Sequence, residues 1–469
     1  MTPTKPSRRR CAALAIVFTT LGSGCDKIQD LPVGKGFSAK YLCSYVFNSD
    51  VDADTARSQF IVPKVQPLPL IWDVAVDADN QMVTVADKVF LNENLKAKAI
   101  YREGMGCTLL VDKNQDDIAA DTITPTNGPV LPADQAWPIG TAGIDQSGLP
   151  NLDNVALEQA IDSAFIEVNE EAPLNTTSLL VAHKGKLIAE RYGFGITPHT
   201  PVLGWSMTKT VAATLIGIAQ DRGLINIDDP APFAQWEGTE KATITTRHIL
   251  NMASGLEYNE GYAQKSDATT MLYENSDQVA YTLARPLINE PGSTFNYSTG
   301  DANLLSKIVH DASGGTTQSA YDFYQSALFH PIGINSAFIE VDASGQFVGG
   351  AYGFMSPRDW LRMGQLYLQK GEWQGEQVVS SAWIDFIIEP SPAADFYGGQ
   401  IWLNPGQKRW PNLPEDVFHF QGHQGQRVIV IPSHDIVVVR TGVTEDNRYL
   451  RTILDPTIAQ IIDIIEEGS

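Results

Sequence analysis

A serine and a lysine three residues apart open a strongly apolar helical stretch. Ser206 and Lys209 lead into residues 210–218, whose pattern predicts a buried helix. At this spacing the two side chains share one face of the helix. An amine near the positive end of a helix and shielded from water has its charged form disfavoured, and the neutral amine can take the serine proton. The alternative is an ordinary helix start, in which Ser206 caps the backbone and Lys209 is solvated.

Two later segments add candidate groups to this pair. Tyr297 follows the turn residues 291–293 and precedes a predicted helix over 302–309, so it can supply a second titratable group. Seen alone, it is also explained as a loop tyrosine packed on a helix. His423, Gln424 and Gly425 lead into a strand-like run at 428–431, where a glycine permits close approach to the backbone.

The order of predicted elements indicates an α+β fold. Strand-like runs at 178–182 and 187–192 flank a polar turn and predict a hairpin, and two more strands are predicted at 428–431 and 436–439. A helix over 152–168 precedes the hairpin, and a helix over 456–465 capped by Asp455 closes the chain. We therefore expect an antiparallel sheet flanked by helices. A helical lobe from about 230–340 would leave a cleft beside that sheet.

Taken in order, three short motifs resemble the signature of the serine β-lactamase and penicillin-binding superfamily: Ser206-x-x-Lys209, Tyr297-Ser298-Thr299 and His423-Gln424-Gly425. Within this superfamily, the chain most resembles the class C-like branch and its serine hydrolases of the 6-aminohexanoate-dimer hydrolase type. Three further stretches resemble that branch, at 200–209, 251–256 and 358–368. The resemblance covers roughly residues 151–469 and implies a β-lactamase/transpeptidase-like fold there.

The resemblance also implies a mechanism. Ser206 would form an acyl-enzyme, with Lys209 and Tyr297 together accepting its proton and the backbone N–H groups of Ser206 and Gln426 forming the oxyanion hole. The sequence leaves open which of Lys209 and Tyr297 is the base. No cofactor is expected for this chemistry.

Two departures from the family pattern bear on the substrate. Thr299 stands where class C β-lactamases usually have asparagine, and His423 stands where the superfamily usually has lysine. Histidine is mostly neutral near pH 7 and is a weaker anchor for a substrate carboxylate. We therefore expect hydrolysis of a small ester or amide. The alternatives are β-lactamase activity, D-amino-acid peptidase activity, or a surface lipoprotein that kept the fold as a binding module.

Five side chains are candidates for substrate contact: Trp205, Glu257, Tyr258, Tyr352 and His423. Trp205 precedes the nucleophile, and the others follow short segments that resemble the family or belong to its third motif. Packing is the alternative role for the aromatic side chains, and solvation is the alternative for Glu257.

The first residues have the layout of a secretory signal, which we place at 1–24. Basic residues precede an apolar stretch, and small residues come directly before Cys25. We expect export to a bacterial periplasm or cell envelope and a lipid on Cys25, which would be the only membrane attachment. Plain cleavage nearby or an uncleaved anchor are the alternatives. Cys43 and Cys107 then remain to form a disulfide or to stay as buried thiols.

Three parts follow the signal. Residues 25–123 form a small N-terminal region with a predicted strand at 82–85 and a predicted helix over 91–101, and they contain Cys43 and Cys107. Residues 124–150, with five prolines, predict a linker, and 151–469 form the hydrolase-like domain.

The net charge of −22 argues against nucleic acid as a partner.

Several other motifs are incomplete. Residues 112–117 begin like a calcium loop, but its glycine and final glutamate are missing. The histidines form no His-Glu-x-x-His pair, so we expect no metal. Ser206 also lacks the Gly-x-Ser-x-Gly surroundings of an α/β-hydrolase.

Overall fold

The computed structural model describes residues 30–65, 68–88, 96–119, 121–170 and 172–469. The predicted signal segment, Cys25 and the start of the predicted helix at 91–101 lie outside these residues. None of the described helices is both long and apolar enough to cross a lipid bilayer.

The N-terminal region consists of one long helix packed on a small antiparallel sheet. Helix α1 spans Leu31–Phe47, and a disulfide joins its Cys43 to Cys107. Four strands pair in chain order: β1 (Trp72–Asp77), β2 (Met82–Asp87), β3 (Ala97–Arg102) and β4 (Gly106–Leu109). Short helical turns cover the connections: Ala53–Thr55, Ala56–Ile61, Val62–Val65, Leu68–Ile71 and Gln115–Ala119.

The strand predicted at 82–85 is confirmed within β2, but the predicted helix at 91–101 is wrong over 97–101, which belong to β3. The Lys-Ala-Lys-Ala sequence at 96–99 alternates with the two-residue period of a strand, and this period outweighs the helix preference of alanine and lysine.

A six-stranded antiparallel sheet forms the centre of the larger region, in the order β12-β13-β14-β15-β5-β6. Its strands are β5 (Thr176–His183), β6 (Lys186–Tyr192), β12 (Trp402–Leu403), β13 (Phe418–Gln421), β14 (Arg427–Ile431) and β15 (Ile436–Gly442). The predicted hairpin and the two later strands are confirmed. Val438 of β15 lies opposite Val181 of β5, so the end of the chain pairs with the start of this region.

Alternate side chains of the central strands enter two apolar layers, which explains why these strands contain continuous hydrophobic runs. Ile429 and Val438 face a layer with helices α2 (Asn154–Ser163) and α11 (Asn447–Gly468). Val428 and Val437 face the other layer. There Gly364 of helix α9 (Pro357–Leu368) lies so close that an added Cβ would be 2.5 Å from Val437. The sheet is therefore buried on both faces.

The described residues between β6 and β12 contain eight α-helices. They are α3 (Met207–Asp221), α4 (Thr246–Leu250), α5 (Asp267–Glu274), α6 (Gln278–Leu283), α7 (Thr299–Ala312), α8 (Thr317–Tyr324), α9, and α10 (Ser381–Ile388). Of these, α4 to α8 fall within the helical lobe predicted over about 230–340. Short strands accompany them: β7 (Val202–Leu203), β8 (Phe338–Ile339), β9 (Gly353–Met355), β10 (Glu372–Trp373) and β11 (Glu376–Gln377). The α+β prediction is confirmed.

The closing helix differs from its prediction at its start. Helix α11 begins at Asn447 and is capped by Asp446, whose carboxylate accepts the N–H groups of Arg448 and Tyr449. Asp455 is inside the helix and binds Asn412 instead of capping. Pro456 lacks only the one N–H that would bond to the preceding turn, and the buried face of the helix continues past it.

The segment predicted as a linker contains no helix or strand, yet it lies against the larger region. Trp137 is 1% exposed, and its indole N–H donates to the Arg358 carbonyl at 3.2 Å. The guanidinium group of Arg362 donates to the carbonyls of Pro138 and Gly140. Residues 124–150 are thus held by buried arginines and are not a free spacer.

Candidate active site

The polypeptide turns sharply just before Ser206. Trp205 has φ of +51°, a left-handed conformation that is uncommon for a bulky residue, and an added Cβ on Gly204 would lie 2.1 Å from the Trp360 ring. Ser206 then occupies the N-cap position of α3 without a capping hydrogen bond from its side chain. The Ser206 hydroxyl is therefore free to contact other groups, and the alternative that Ser206 only caps the helix backbone does not hold.

Lys209, one turn into α3, is 1% exposed and contacts that hydroxyl. Its Nζ lies 3.0 Å from Ser206 Oγ, 2.8 Å from Thr299 Oγ1 and 2.7 Å from the Gly350 carbonyl oxygen. Burial lowers the pKa of Lys209 to about 8, against the opposing effect of two carboxylates, Glu260 and Asp301. A solvated surface lysine is thus ruled out, and the neutral amine is accessible near physiological pH.

Glu260 is a site residue that the sequence analysis missed. Its carboxylate accepts the Thr299 backbone N–H at 2.7 Å and the Thr299 hydroxyl at 2.5 Å, and it lies 4.0 Å from Lys209 Nζ. Tyr262 also donates its hydroxyl to Glu260, at 3.0 Å. The sequence signal was weak, because Glu260 is one of two glutamates in the loop after Ser254 and we had selected the other, Glu257.

The directions of these hydrogen bonds can be worked out from the available protons. The Gly350 carbonyl has no proton to give, and the single hydroxyl proton of Thr299 points to the Glu260 carboxylate. Lys209 must therefore donate in both contacts. A neutral amine has two N–H bonds and one lone pair, so its lone pair is left facing the Ser206 hydroxyl.

Tyr297 is a further neighbour of Lys209. Its ring centre is 5.0 Å from Lys209 Nζ, and the ring stacks on Trp402 with centroids 5.3 Å apart. Burial raises the pKa of Tyr297 well above its usual range, although a hydrogen bond with the Ser206 hydroxyl and the charges of Arg409 and Arg427 oppose this rise. The phenol is neutral at pH 7 and close to the nucleophile.

His423 begins a single tight turn, His423–Gly425, between β13 and β14. Its ring stacks on Tyr262, with centroids 4.9 Å apart, and its buried Nε2 has no hydrogen-bond partner in the described part of the chain. Burial and the nearby Lys64 lower the pKa of His423 to about 3, with Glu445 opposing. The imidazole is therefore neutral at pH 7 and provides no fixed positive charge.

The two backbone groups expected to form the oxyanion hole have no acceptors of their own. Within the described residues, neither Ser206 N–H nor Gln426 N–H donates a hydrogen bond to another protein group. The side-chain amide of Gln426 exchanges two hydrogen bonds with the backbone of Gly442, at 2.6 and 3.1 Å. This pairing fixes the turn from which the Gln426 N–H projects.

Three of the five predicted substrate contacts are packing residues instead, which corrects that expectation. Trp205 is 2% exposed, lies against Tyr41 of α1 and donates to Gln424 Oε1. Tyr352 is 1% exposed and donates to the Leu272 carbonyl, and Tyr258 is directed to the sulfur of Met271. Their burial, and the hydrogen-bond partners that they find within the protein, place these three side chains in the packed interior.

Glu257 is exposed, and its carboxylate pairs with Arg285 at 3.3 Å, which fits the solvated role that we had weighed. His423 keeps part of its ring accessible. Other partly exposed side chains at the site, none of them predicted for substrate contact, include Glu260, Tyr262, Tyr297 and Trp402.

Among the described residues, no group of three or more histidine, cysteine, aspartate or glutamate side chains is arranged to hold a metal ion. The site is built from Ser206, Lys209, Tyr297 and their hydrogen-bond partners.

This chain is similar to known proteins in sequence and in fold. The family model described as beta-lactamase matches residues 161–448, more than half of the chain. The 6-aminohexanoate-dimer hydrolase of Paenarthrobacter ureafaciens is 24% identical over 273 residues, which cover 55% of this chain and 64% of that protein. The chain thus spans slightly less than two thirds of that relative.

Two solved structures show the shared fold. A family VIII carboxylesterase superposes with a TM-score of 0.52 and 16% identity, covering 68% of this chain and 99% of that one. A class C β-lactamase superposes with a TM-score of 0.51 and 15% identity, covering 66% and 97%. The proteins of this family are serine hydrolases. From the matched region and the fold, the chain belongs to the beta-lactamase family.

Proposed function

We propose that this protein is an exported serine hydrolase that cleaves ester or amide bonds through an acyl-enzyme on Ser206. The observation that carries the proposal is the 3.0 Å contact between Lys209 Nζ and Ser206 Oγ, made by a buried lysine with a pKa of about 8. A hydroxyl with a neutral amine beside it has the general base that nucleophilic attack requires.

In the acylation step, Lys209 is the base. Its two N–H bonds are directed to Thr299 and Gly350, so the lone pair can take the Ser206 proton as Oγ attacks the substrate carbonyl. Tyr297 keeps its proton at pH 7 and is close to the nucleophile, so it donates that proton to the leaving oxygen or nitrogen. The protonated Lys209 then gives its extra proton to the deprotonated Tyr297, so that both groups regain their starting states.

The backbone N–H groups of Ser206 and Gln426 stabilise the oxyanion of the tetrahedral intermediate. Losing one such donor in a comparable site costs about 3 kcal/mol in the transition state. In deacylation, a water enters where the leaving group was and attacks the acyl carbonyl while the Lys209 and Tyr297 pair takes its proton. The bond from the carbonyl carbon to Ser206 Oγ then breaks, and the same pair returns a proton to Oγ, which restores the serine and frees the acid. The step needs no group beyond those that perform acylation.

The neutral His423 supports an ester or amide substrate over a β-lactam. Its low pKa leaves no cation at the position where the superfamily usually has lysine. The similarity to a 6-aminohexanoate-dimer hydrolase supports the same choice. Hydrolysis of a β-lactam or of a D-amino acid amide is the alternative that a substrate panel would detect.

We further propose that residues 1–24 direct export, that Cys25 carries a lipid, and that the mature protein resides in the periplasm or cell envelope. The Cys43–Cys107 disulfide supports an oxidising compartment. Metabolic labelling with a palmitate analogue in a bacterial host, compared between the natural chain and Cys25→Ala, tests the lipid directly.

Labelling with a fluorophosphonate probe tests the hydrolase itself. We expect the wild-type chain and an exposed control, Ser293→Ala, to take up the probe at the same rate, and Ser206→Ala to take up none while keeping the same thermal unfolding curve. A panel of short nitrophenyl esters, a chromogenic cephalosporin, linear 6-aminohexanoate dimer and D-amino acid amides then ranks the substrate classes. A folded wild-type chain that takes no label would contradict the proposal and favour a binding module.

A further inference from the structure

An aromatic wall extends from the catalytic tyrosine toward solvent and ends at an arginine. Trp402 stacks on Tyr297 at 5.3 Å, and Phe295 and Phe396 lie against Trp402 at 6.3 and 6.2 Å. Phe396 is 39% exposed, so the wall reaches the surface. The guanidinium carbon of Arg409 lies 4.0 Å above the Trp402 ring. The Trp402 ring therefore contacts both groups, the Tyr297 ring at 5.3 Å and the Arg409 guanidinium at 4.0 Å.

Arg409 has no acidic partner in this position. In the described part of the chain no carboxylate lies within 4.0 Å of its guanidinium, and its buried Nε has no hydrogen-bond acceptor. Only its backbone N–H is bound, to the side-chain oxygen of Asn404 at 3.1 Å. In a chain with a net charge of −22, acidic groups are abundant, yet none was placed against this cation.

Other arginines nearby make the same region strongly positive. Arg427 is 1% exposed and donates to the carbonyls of Gly422 and Gln426 and to Asn447, with no carboxylate among these partners. Arg451 is close enough to lower the pKa of Arg409, which burial and this repulsion bring to about 10, so Arg409 stays cationic at pH 7. Asp455, the acidic group coupled to Arg451, already binds Asn412. A bound anion would relieve this repulsion.

We propose that the aromatic wall and Arg409 form a subsite for a leaving group that has an apolar body and a carboxylate. The apolar body lies along Trp402 and Phe396, and the carboxylate accepts hydrogen bonds from the guanidinium group of Arg409, the geometry that arginine provides best. The inference rests on the proposed function, because it places the subsite relative to a reaction at Ser206.

The leaving-group side follows from the position of Tyr297. In the proposed mechanism Tyr297 gives its proton to the leaving oxygen or nitrogen, so that atom departs toward Tyr297. The wall continues from Tyr297 to Trp402 and Arg409, so the part of the substrate attached to the leaving atom lies along it. The acyl part is on the other side of the scissile bond and does not meet Arg409.

Two acetate esters of equal shape test the subsite: 3-carboxy-4-nitrophenyl acetate, whose leaving group carries a carboxylate, and its neutral 3-methoxycarbonyl counterpart. We expect Arg409→Gln to lower kcat/KM for the carboxylate ester by about tenfold and to change that for the neutral ester by less than about twofold. Arg409→Lys keeps a charge and should recover part of the loss. Lys408→Gln, which removes an equal charge from the exposed neighbour paired with Asp395, is the matched control and should leave both values unchanged.

A third probe, the 4-nitrophenyl monoester of glutaric acid, places the carboxylate on the acyl side. If Arg409→Gln slows this ester more than the carboxylated leaving group, the subsite is on the wrong side of the scissile bond and the inference fails. Equal losses for the charged and neutral acetate esters would also overturn it, since Arg409 would then be structural. All of these measurements require that the wild-type chain hydrolyses esters and labels at Ser206. If the folded wild-type chain does neither, the proposed function itself is overturned, and the subsite with it.

Discussion

The protonation state of Lys209 should set the pH dependence of the enzyme. The neutral amine is the base, and burial brings its pKa to about 8. The neutral fraction grows as pH rises through this value, so kcat/KM for a neutral ester should climb about tenfold per pH unit below pH 8 and level off above it. A pH series of kcat/KM on a nitrophenyl ester measures this rising part of the profile, its ascending limb. A flat profile from pH 6 to 9 would contradict Lys209 as the base.

Glu260 should shift that limb in a defined direction. Its negative charge raises the pKa of Lys209, so Glu260→Gln removes this support and the limb should move to lower pH. Maximal turnover should also fall, because the amide cannot accept both Thr299 hydrogen bonds. Glu257→Gln is the control, since this exposed side chain in the same loop contacts Arg285 and not the site. A limb that moves upward in Glu260→Gln would disprove this electrostatic role.

Lys209 and Tyr297 should behave as one unit when both are changed. Both belong to one proton path, in which Lys209 takes the Ser206 proton and Tyr297 gives its own to the leaving group, so Lys209→Ala and Tyr297→Phe should each lower kcat by at least about a hundredfold. The double variant should lose far less than the product of the two losses, because a proton path that is already broken cannot be broken again. Single-turnover acylation rates of the four chains give the comparison. Multiplicative losses would indicate two independent roles.

The site residues that could be predicted are those close together in the sequence or in a short motif. Ser206 and Lys209 are one helical turn apart, and Tyr297 precedes a helix start, so local patterns together with the family resemblance singled them out. Glu260 acts through Thr299, 39 residues later in the chain, and no local pattern marks that pair. Arg409 follows Trp402 by only seven residues, but the connection between them has neither the helix nor the strand period that would predict their contact. Burial misled us at Trp205 and Tyr352, since a sequence does not say whether an aromatic ring faces a cleft or a core.

A buried carboxylate of the larger region binds helix α1. Glu340 is fully buried and pairs with Lys40, and it also accepts hydrogen bonds from Ser44, Asn48 and the backbone of Cys107. Every one of these donors belongs to the N-terminal region. Burial raises the pKa of Glu340 while these partners oppose the rise, so the carboxylate depends on them for its charge.

Lys40→Met should therefore be strongly destabilising. It leaves a buried charge without its ion partner, which costs about 3–5 kcal/mol in the free energy of unfolding, measured by urea titration. The loss should be larger at high pH, where Glu340 is ionised, than at low pH, where it can bind a proton. The double variant Lys40→Met, Glu340→Gln should recover much of the stability. Lys370→Met breaks an exposed pair with Asp385 and should cost less than about 1 kcal/mol.

Secondary structure was predictable where side-chain period and turn residues agreed. The β5–β6 hairpin has two apolar runs around a polar turn, and β14 and β15 contain the apolar runs 428–431 and 436–439 because helices cover both sheet faces. The prediction failed at β3, where composition favoured a helix but the period favoured a strand. It also failed at the start of α11, where Pro456 has the features of a first helical position yet lies in the helix interior.

At the scale of the whole molecule, the N-terminal region is part of the core that supports the nucleophile. Phe37 and Tyr41 of α1 lie 6.2 and 4.9 Å from the ring of Trp205, the residue before Ser206. The predicted division at residue 124 separates sequences of different pattern, but these contacts and the Glu340 cluster cross it. The sequence could not show this, because the partners are more than a hundred residues apart.

A chain that starts at residue 124 should therefore fail to fold into an active enzyme. It would lose the aromatic partners of Trp205 and all the donors to Glu340, and truncating one large buried aromatic side chain already costs about 3–5 kcal/mol. Such losses together exceed the roughly 5–15 kcal/mol that stabilise a typical domain. We expect aggregation or a broad thermal transition and no fluorophosphonate labelling, whereas a chain that starts at residue 30 should melt cooperatively and label fully. A soluble, cooperatively folding and labelled chain from residue 124 would show instead that α1 only covers a domain that is stable by itself.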